Sequence, residues 1–266
     1  MKMLTISYIS LLLGLLLLVI PGYAIFVYDR LTWQKAVVGV ARMLGQLLIM
    51  GACLWVLYRF DSLWLNLLWL LLMSMATSFL LVSRAHVRSN VLFTPACVAI
   101  FGSVLLVGAY LLGAVLRPES AWSVRWFVPV TGVLMAHVLT TNIPAVRTYF
   151  DCLRQDCQPY LAMLGNGATR RQALAPYLTR ALKSLVMPAI ANLSVMGLFI
   201  MPMLLSGLLL GGLSPVSAVF VFVVLVLAGL AVSILSLFVT LWLVDRHAFT
   251  RQGLLGDFMQ NEQPLV

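Results

Sequence analysis

The protein is a chain of 266 residues, of which 62% are hydrophobic and only 9% are charged. Soluble globular domains carry charge on about a quarter of their residues, so this composition excludes a soluble fold and indicates a polytopic membrane protein. The formal net charge of +9 does not point to nucleic acid here, because the cations must first be sorted by side of the membrane.

Apolar runs long enough to cross a bilayer recur along the whole chain, separated by short polar or Pro/Gly-containing turns. They predict an all-α protein with about seven transmembrane helices in a single membrane domain, residues 1–266. The first run is too long for a signal-peptide core and is followed by Arg30 and Lys35, so we expect an uncleaved span after which 28–39 forms an interfacial linker. The predicted spans are 3–27, 40–57, 63–82, 91–116, 127–141, 184–210 and 215–244.

The distribution of Lys and Arg residues among the loops indicates which of the two possible orientations the seven spans take in the membrane. With the N-terminus outside and the C-terminus in the cytoplasm, 13 of the 17 cations fall on the cytoplasmic side. Short loops with this bias follow the positive-inside rule. The cations left on the outer side are Lys2, Arg59, Arg117 and Arg125.

The longest stretch that does not resemble a membrane span is 145–183, which we call the elbow. A first short helix is predicted to end at Gly165 and Gly167, where glycine can take the left-handed backbone that closes a helix. A second helix is predicted to begin at Thr169, whose side chain and that of Gln172 form a capping box. Two interpretations stay open: a rigid surface on which a soluble partner pushes, or an amphipathic connector on lipid headgroups.

No nucleotide-binding GxxxxGK[ST], metalloprotease HExxH or hydrolase GxSxG motif occurs, so no catalytic site is predicted. No acidic residue lies in the middle of a predicted span, whereas His137 lies within span five. An imidazole in a span is either functional or hydrogen-bonded to a neighbouring helix. Neutral polar and thioether side chains are predicted to line a substrate path: Gln46, His137, Asn192, Ser194, Met203 and Ser206.

A GxxxG pattern in span six is formed by Gly207 and Gly211. Small residues at this spacing allow two helices to approach closely. The pattern leaves open whether the second helix belongs to the same chain or to a second copy.

The chain resembles the FetB-like permeases of ABC transporters, a family that includes bacterial iron exporters and plant membrane proteins of aluminium tolerance. Arg42 to Gly51 is similar to the family's R-x-x-x-Q-L-x-x-x-G pattern, and Gly-Ala-Thr at 167–169 with Gln172-Ala173 is similar to its coupling-loop signature. The most specific similar run comprises Gly197-Leu198, Pro202, Ser206-Gly207, Gly212, Pro215 and Ala218.

The resemblance implies a homodimeric permease subunit in the bacterial inner membrane, in contact with lipid and with a separate cytoplasmic ATPase that binds ATP and Mg²⁺. No cofactor is implied in this chain, and no nucleic acid partner. A membrane-embedded enzyme or an accessory scaffold, with the elbow as docking site, is the alternative. The residues implied to couple to the ATPase are Leu161, Leu164, Gly165, Gly167, Ala168, Thr169, Arg170, Arg171 and Gln172.

The chain departs from the family where charged residues are usual. An Asp and a Lys common early in span six are Ala191 and Ser194 here, and an Asn of span five is His137. These departures favour a neutral, amphipathic or chelated substrate, or a soft metal, over free hard cations. The substrate, the direction of transport and any metal ligands stay open.

Overall fold

The computed structural model describes residues 23, 30–85, 89–118, 120, 122–155, 157–195 and 201–247. The predicted span 3–27 therefore lies outside the described residues except for Tyr23, as does the segment 196–200 within predicted span six. The described elements are α1 (Arg30–Phe60), α2 (Leu63–Ala85), α3 (Ser89–Tyr110) with a π-helical continuation (Leu111–Leu116), α4 (Val124–Gln155), α5 (Cys157–Gly165), α6 (Arg170–Val195), α7 (Met201–Leu210) and α8 (Pro215–His247).

Five of these helical stretches are long and apolar enough to cross a membrane, which confirms the all-α, multi-span prediction. Predicted span six is divided between α6 and α7, on either side of 196–200. The five stretches are Trp33–Phe60, Leu63–Ala85, Leu92–Leu116, Val124–Gln155 and Pro215–Arg246.

Several helices extend beyond the predicted spans. Helix α1 begins at Arg30, so most of the predicted linker 28–39 is helical, since no proline interrupts it. Helix α4 passes through Pro144 and continues to Gln155, where Tyr149 and Leu153 are buried. In the same way, α6 starts within the elbow rather than near residue 184. Packing within the protein stabilises the extended ends of α4 and α6, where Tyr149, Leu153 and Tyr177 are buried.

The chain divides into two compact units, Met1–Phe60 and Asp61–Val266. Within the second unit, α4 packs against α2, α6 and α8, and α8 also packs against α3. A buried polar seam joins α4 to α8, because the Asn142 amide donates a 2.7 Å hydrogen bond to the Ser236 hydroxyl. Such pairing is required of polar groups that are shielded from water.

Two polar contacts join the turn before α2 to the start of α4. The Val124 N–H donates a 2.8 Å hydrogen bond to the Asp61 carboxylate, and the Asn66 amide donates one of 2.8 Å to the Trp122 carbonyl. The turn at Ser62 and the segment before α4 therefore lie at one end of the second unit. The 32 residues of α4 span about 48 Å, more than the roughly 30 Å hydrocarbon core, so the elbow follows at the opposite end.

Cysteine labelling tests the predicted orientation. In a cysteine-free background, Ser62→Cys and Glu119→Cys should react with an impermeant thiol reagent in intact cells, because both positions are predicted outside. Gln172→Cys, which is exposed in the elbow, should react only after the cells are opened. Labelling of Gln172→Cys from outside would contradict the cytoplasmic elbow.

Candidate functional site

The tip of the elbow is a tight turn between α5 and α6. Gly167 has φ of +83°, the left-handed conformation predicted for this position. The Gly167 N–H donates to the Leu164 carbonyl and the Ala168 N–H to the Met163 carbonyl, both at 3.0 Å. These two bonds form a Schellman motif, which satisfies the last carbonyls of α5.

The predicted capping box at the start of α6 is confirmed. The Thr169 N–H donates a 2.9 Å hydrogen bond to Oε1 of Gln172, and the Gln172 N–H contacts Oγ1 of Thr169 at 3.4 Å. A cap of this kind contributes about 1 kcal/mol to helix stability. Helix α6 therefore has a defined first residue immediately after the turn.

Two tyrosines hold the helices of the elbow together. Tyr160 of α5 and Tyr177 of α6 are both buried, and their rings meet edge to face with centroids 6.4 Å apart. The residues predicted to couple to an ATPase lie around the turn beyond this contact. Of these, Gly165, Gly167, Thr169, Arg171 and Gln172 are exposed, and Leu161, Leu164, Ala168 and Arg170 are half-buried.

A partly buried hydrogen bond joins the elbow end of α4 to α8. The Tyr149 hydroxyl donates a 2.9 Å hydrogen bond to the Asp245 carboxylate, and both groups interact electrostatically with Arg170 at the start of α6. Three helices thus meet at one charged cluster. Tyr149 and Asp245 were not predicted from the sequence, because they are 96 positions apart and no local pattern pairs them.

A cavity of about 250 Å³ lies between α4, α6 and α8. Two residues of the predicted substrate path, His137 and Asn192, line it together. Its hydroxyl residues Thr140, Thr141 and Ser233 were not predicted, since a Ser or Thr within a span is equally typical of helix packing. The remaining lining residues are Ala136, Ala189, Leu193, Val226 and Leu230.

The His137 ring is fixed by its own helix and by a glycine of the neighbouring one. Its Nδ1 lies 3.1 Å from the carbonyl oxygen of Val133, one turn earlier in α4, rather than bonding to another helix as one of the two interpretations supposed. A Cβ atom at Gly229 of α8 would lie 2.7 Å from Cγ and Cδ2 of the ring. Only glycine leaves room for the imidazole in this position.

The other predicted path residues lie on three helices. Gln46 lies exposed on α1, which belongs to the first unit, and Ser206 lies exposed on α7. The backbones of Ser194 and Met203 belong to α6 and α7 respectively.

The glycines of the GxxxG pattern lie near the end of α7. No described atom lies within 4 Å of a Cβ placed at Gly207, and one placed at Gly211 would meet only carbonyl groups of its own helix, the nearest at 3.3 Å. Gly212 then takes φ of +92° and Ser214 caps α8. The described part of the chain thus places no second helix against this pattern.

Within the described ranges, no three or more His, Cys, Asp or Glu side chains form a group that could hold a metal ion. In the cavity itself, His137 is the one residue of these four types.

Comparison with known proteins places this architecture among membrane proteins. The sequence model of the family UPF0014, described as an uncharacterised protein family, matches residues 8–249 of this chain. A UPF0014 membrane protein of Synechocystis sp. is 27% identical over 177 residues, 66% of this chain and 68% of that protein. The probable iron export permease protein FetB of Escherichia coli is 25% identical over 240 residues, 88% of this chain and 89% of FetB.

A plant protein is also similar over a shorter region. Protein ALUMINUM SENSITIVE 3 of Arabidopsis thaliana is 27% identical over 95 residues, 36% of this chain and 35% of that protein. No solved structure matches this chain.

Proposed function

The chain belongs to the UPF0014 family, and from this premise we propose that it is the permease subunit of a transporter driven by a separate cytoplasmic ATPase. It works as a homodimer in the bacterial inner (plasma) membrane, with the N-terminus outside. ATP and Mg²⁺ bind to the partner, and this chain has no catalytic site of its own. The similarity to a protein named as a probable iron export permease supports the permease assignment.

Helix α6 is the observation that carries the proposal. It is one uninterrupted helix from Arg170, next to the elbow turn, to Val195, and it supplies Ala189, Asn192 and Leu193 to the cavity. At about 1.5 Å per residue, Asn192 lies about 33 Å along the helix from Arg170. A movement of the elbow is therefore transmitted along the same helix that forms one wall of the cavity.

Two features of α6 underlie the proposed mechanism: the interactions of its first residue at the elbow and a proline near the cavity. At the elbow, Arg170 interacts electrostatically with Asp245 and Tyr149. A displacement of the elbow therefore also acts on the ends of α4 and α8. Near the cavity, Pro188 has no N–H for the Ser184 carbonyl, and this is where a helix bends most easily. ATP-driven movement of the elbow then opens the cavity to alternate sides of the membrane.

The lining of the cavity limits the substrate. A bare hard cation needs several anionic or oxygen ligands to replace its hydration shell, and no side chain lining the cavity is a carboxylate. One imidazole, three hydroxyls and one amide suit a neutral, amphipathic or chelated substrate, or a soft metal. The direction of transport is not specified by this lining.

Co-purification tests the partner. The tagged chain, extracted from its native membrane in mild detergent, should retain an ATPase that carries a GxxxxGK[ST] motif. In a matched control, the chain with Gly165–Arg171 replaced by a flexible Gly/Ser linker of equal length should be extracted equally well but retain none. Retention of the ATPase by the linker variant would contradict the elbow as its docking surface, and recovery of an enzyme or scaffold partner instead would favour that alternative.

Cross-linking tests the homodimer. Gly207→Ile should abolish a cross-linkable dimer, because helix contacts through small residues contribute about 1 to 2 kcal/mol each and require close approach. Gly102→Ile on α3 is the matched control, since a Cβ there also meets nothing within 4 Å among the described residues. An unchanged dimer in Gly207→Ile would assign the GxxxG pattern to packing within one chain.

A further inference from the structure

We propose that the cavity between α4, α6 and α8 selects a small organic amine, bound through its N–H donors, and disfavours anions. This inference deepens the proposed function and rests on it. It is carried by the hydrogen bonds that the polar lining residues already make.

The hydroxyl protons of the cavity are all used within the protein. Thr140 donates to the carbonyls of Ala136 and His137, both at 3.0 Å, and Thr141 donates to the His137 carbonyl at 2.7 Å. Ser233 donates to the Gly229 carbonyl at 2.7 Å. A hydroxyl has one proton, so each oxygen retains only lone pairs for a ligand.

The imidazole of His137 also presents a hydrogen-bond acceptor. A carbonyl can only accept, so the 3.1 Å contact with the Val133 oxygen assigns the proton of neutral His137 to Nδ1. Its Nε2 is then an acceptor. Together with the three hydroxyl oxygens and the Asn192 amide oxygen, it gives the cavity five side-chain acceptors, whereas the Asn192 amide supplies the N–H donors among the lining side chains.

An anion is poorly matched to this lining, because a carboxylate or phosphate needs several donors and no Lys or Arg lines the cavity. An amine is better matched, since its N–H groups meet the oxygen and nitrogen lone pairs of the lining. The apolar side chains of Leu193, Val226 and Leu230 would cover the carbon skeleton of the ligand. The volume of about 250 Å³ is slightly below the roughly 300–1,000 Å³ of most ligand pockets, which favours a small molecule.

A shape-matched series of probes tests the polarity. Benzylamine, benzyl alcohol and benzoate are titrated into the purified full chain in lipid nanodiscs and followed by ligand-observed NMR, with empty nanodiscs as the blank. We expect benzylamine to bind most tightly, benzyl alcohol next and benzoate least. Benzoate binding as tightly as benzylamine would overturn the proposal, as would absence of binding by all three.

Substitutions assign the binding to the cavity. Thr141→Val removes one acceptor at nearly constant side-chain shape and should lower the affinity for benzylamine about 3- to 10-fold. Thr179→Val, which removes a hydroxyl bonded in the same way on the exposed face of α6, should leave binding unchanged. Equal effects of the two substitutions would overturn the assignment.

A gain-of-binding variant keeps the test decisive if Thr141→Val folds poorly. Asn192→Asp adds a carboxylate to the lining and should raise the affinity for benzylamine at least about tenfold. An unchanged benzylamine affinity would contradict the proposed place of the ammonium group. Binding of Zn²⁺ alone, lost in His137→Ala while benzylamine does not bind, would identify a metal site instead.

These measurements are made without an ATPase. Loss of the amine preference therefore contradicts this inference alone, whereas failure to recover an ATPase contradicts the proposed function.

Discussion

Replacing Gly167 with proline should reduce permease-stimulated ATP hydrolysis at least about tenfold and abolish transport. Gly167 has φ of +83°, whereas proline is fixed near −65°, so the turn between α5 and α6 cannot form. Proline also removes the N–H that bonds the Leu164 carbonyl at the end of α5. The amount of protein in the membrane should not change, because Gly167 lies outside the apolar spans. ATPase activity in proteoliposomes and immunoblots of membranes measure the two effects.

Gly167→Asn is the matched control for this substitution. Asparagine tolerates the left-handed conformation better than other non-glycine residues and keeps its N–H, so most of the stimulation should survive. If Gly167→Pro stimulated hydrolysis as well as the wild type, the elbow would not transmit force to or from the ATPase. Equal loss in both variants would indicate that the side chain, rather than the backbone, disturbs the contact.

The second large effect is expected in the cavity. His137→Ala and Asn192→Ala should each reduce transport of the true substrate about tenfold, because they remove polar groups from α4 and α6 that line the same space. Met187→Ala, on the exposed face of α6 away from the cavity, is the control. Uptake or efflux in a deletion strain complemented with each variant measures the effect.

The same strain tests what is carried. Because no carboxylate lines the cavity, deletion of the protein should change the tolerance of cells to iron very little. An iron-sensitive deletion strain that is rescued by the wild type, but not by His137→Ala or Asn192→Ala, would contradict this. Iron would then be the substrate despite the uncharged lining.

Local features of this structure could be predicted because their signals are close together in the sequence. Gly167 and the pair Thr169 and Gln172 lie within six residues, and each has one dominant physical use. The apolar runs predicted the long helices for a similar reason, since an uninterrupted run has few alternatives in a membrane. The structure differs from the predicted spans mainly at helix ends, where packing within the protein rather than the bilayer decides the boundary.

Contacts between distant parts of the chain could not be predicted in this way. Asp245 follows a span directly, and nothing beside it in sequence indicates that Tyr149 donates a hydrogen bond to it. His137 and Asn192 were found because polar side chains are conspicuous in apolar spans. Ser233 was not, because its hydroxyl bonds only within α8 and its place in the cavity depends on how α8 packs against α4.

The absent side chain at Gly229 has a consequence for how this permease can vary. The imidazole of His137 occupies the volume that a Cβ at position 229 would need. A larger side chain at one of these positions therefore reduces the space available at the other. A bulkier residue can enter at either position only when the other becomes smaller. Residues 137 and 229 should therefore change together, as a linked pair, wherever the cavity is reshaped for a different cargo.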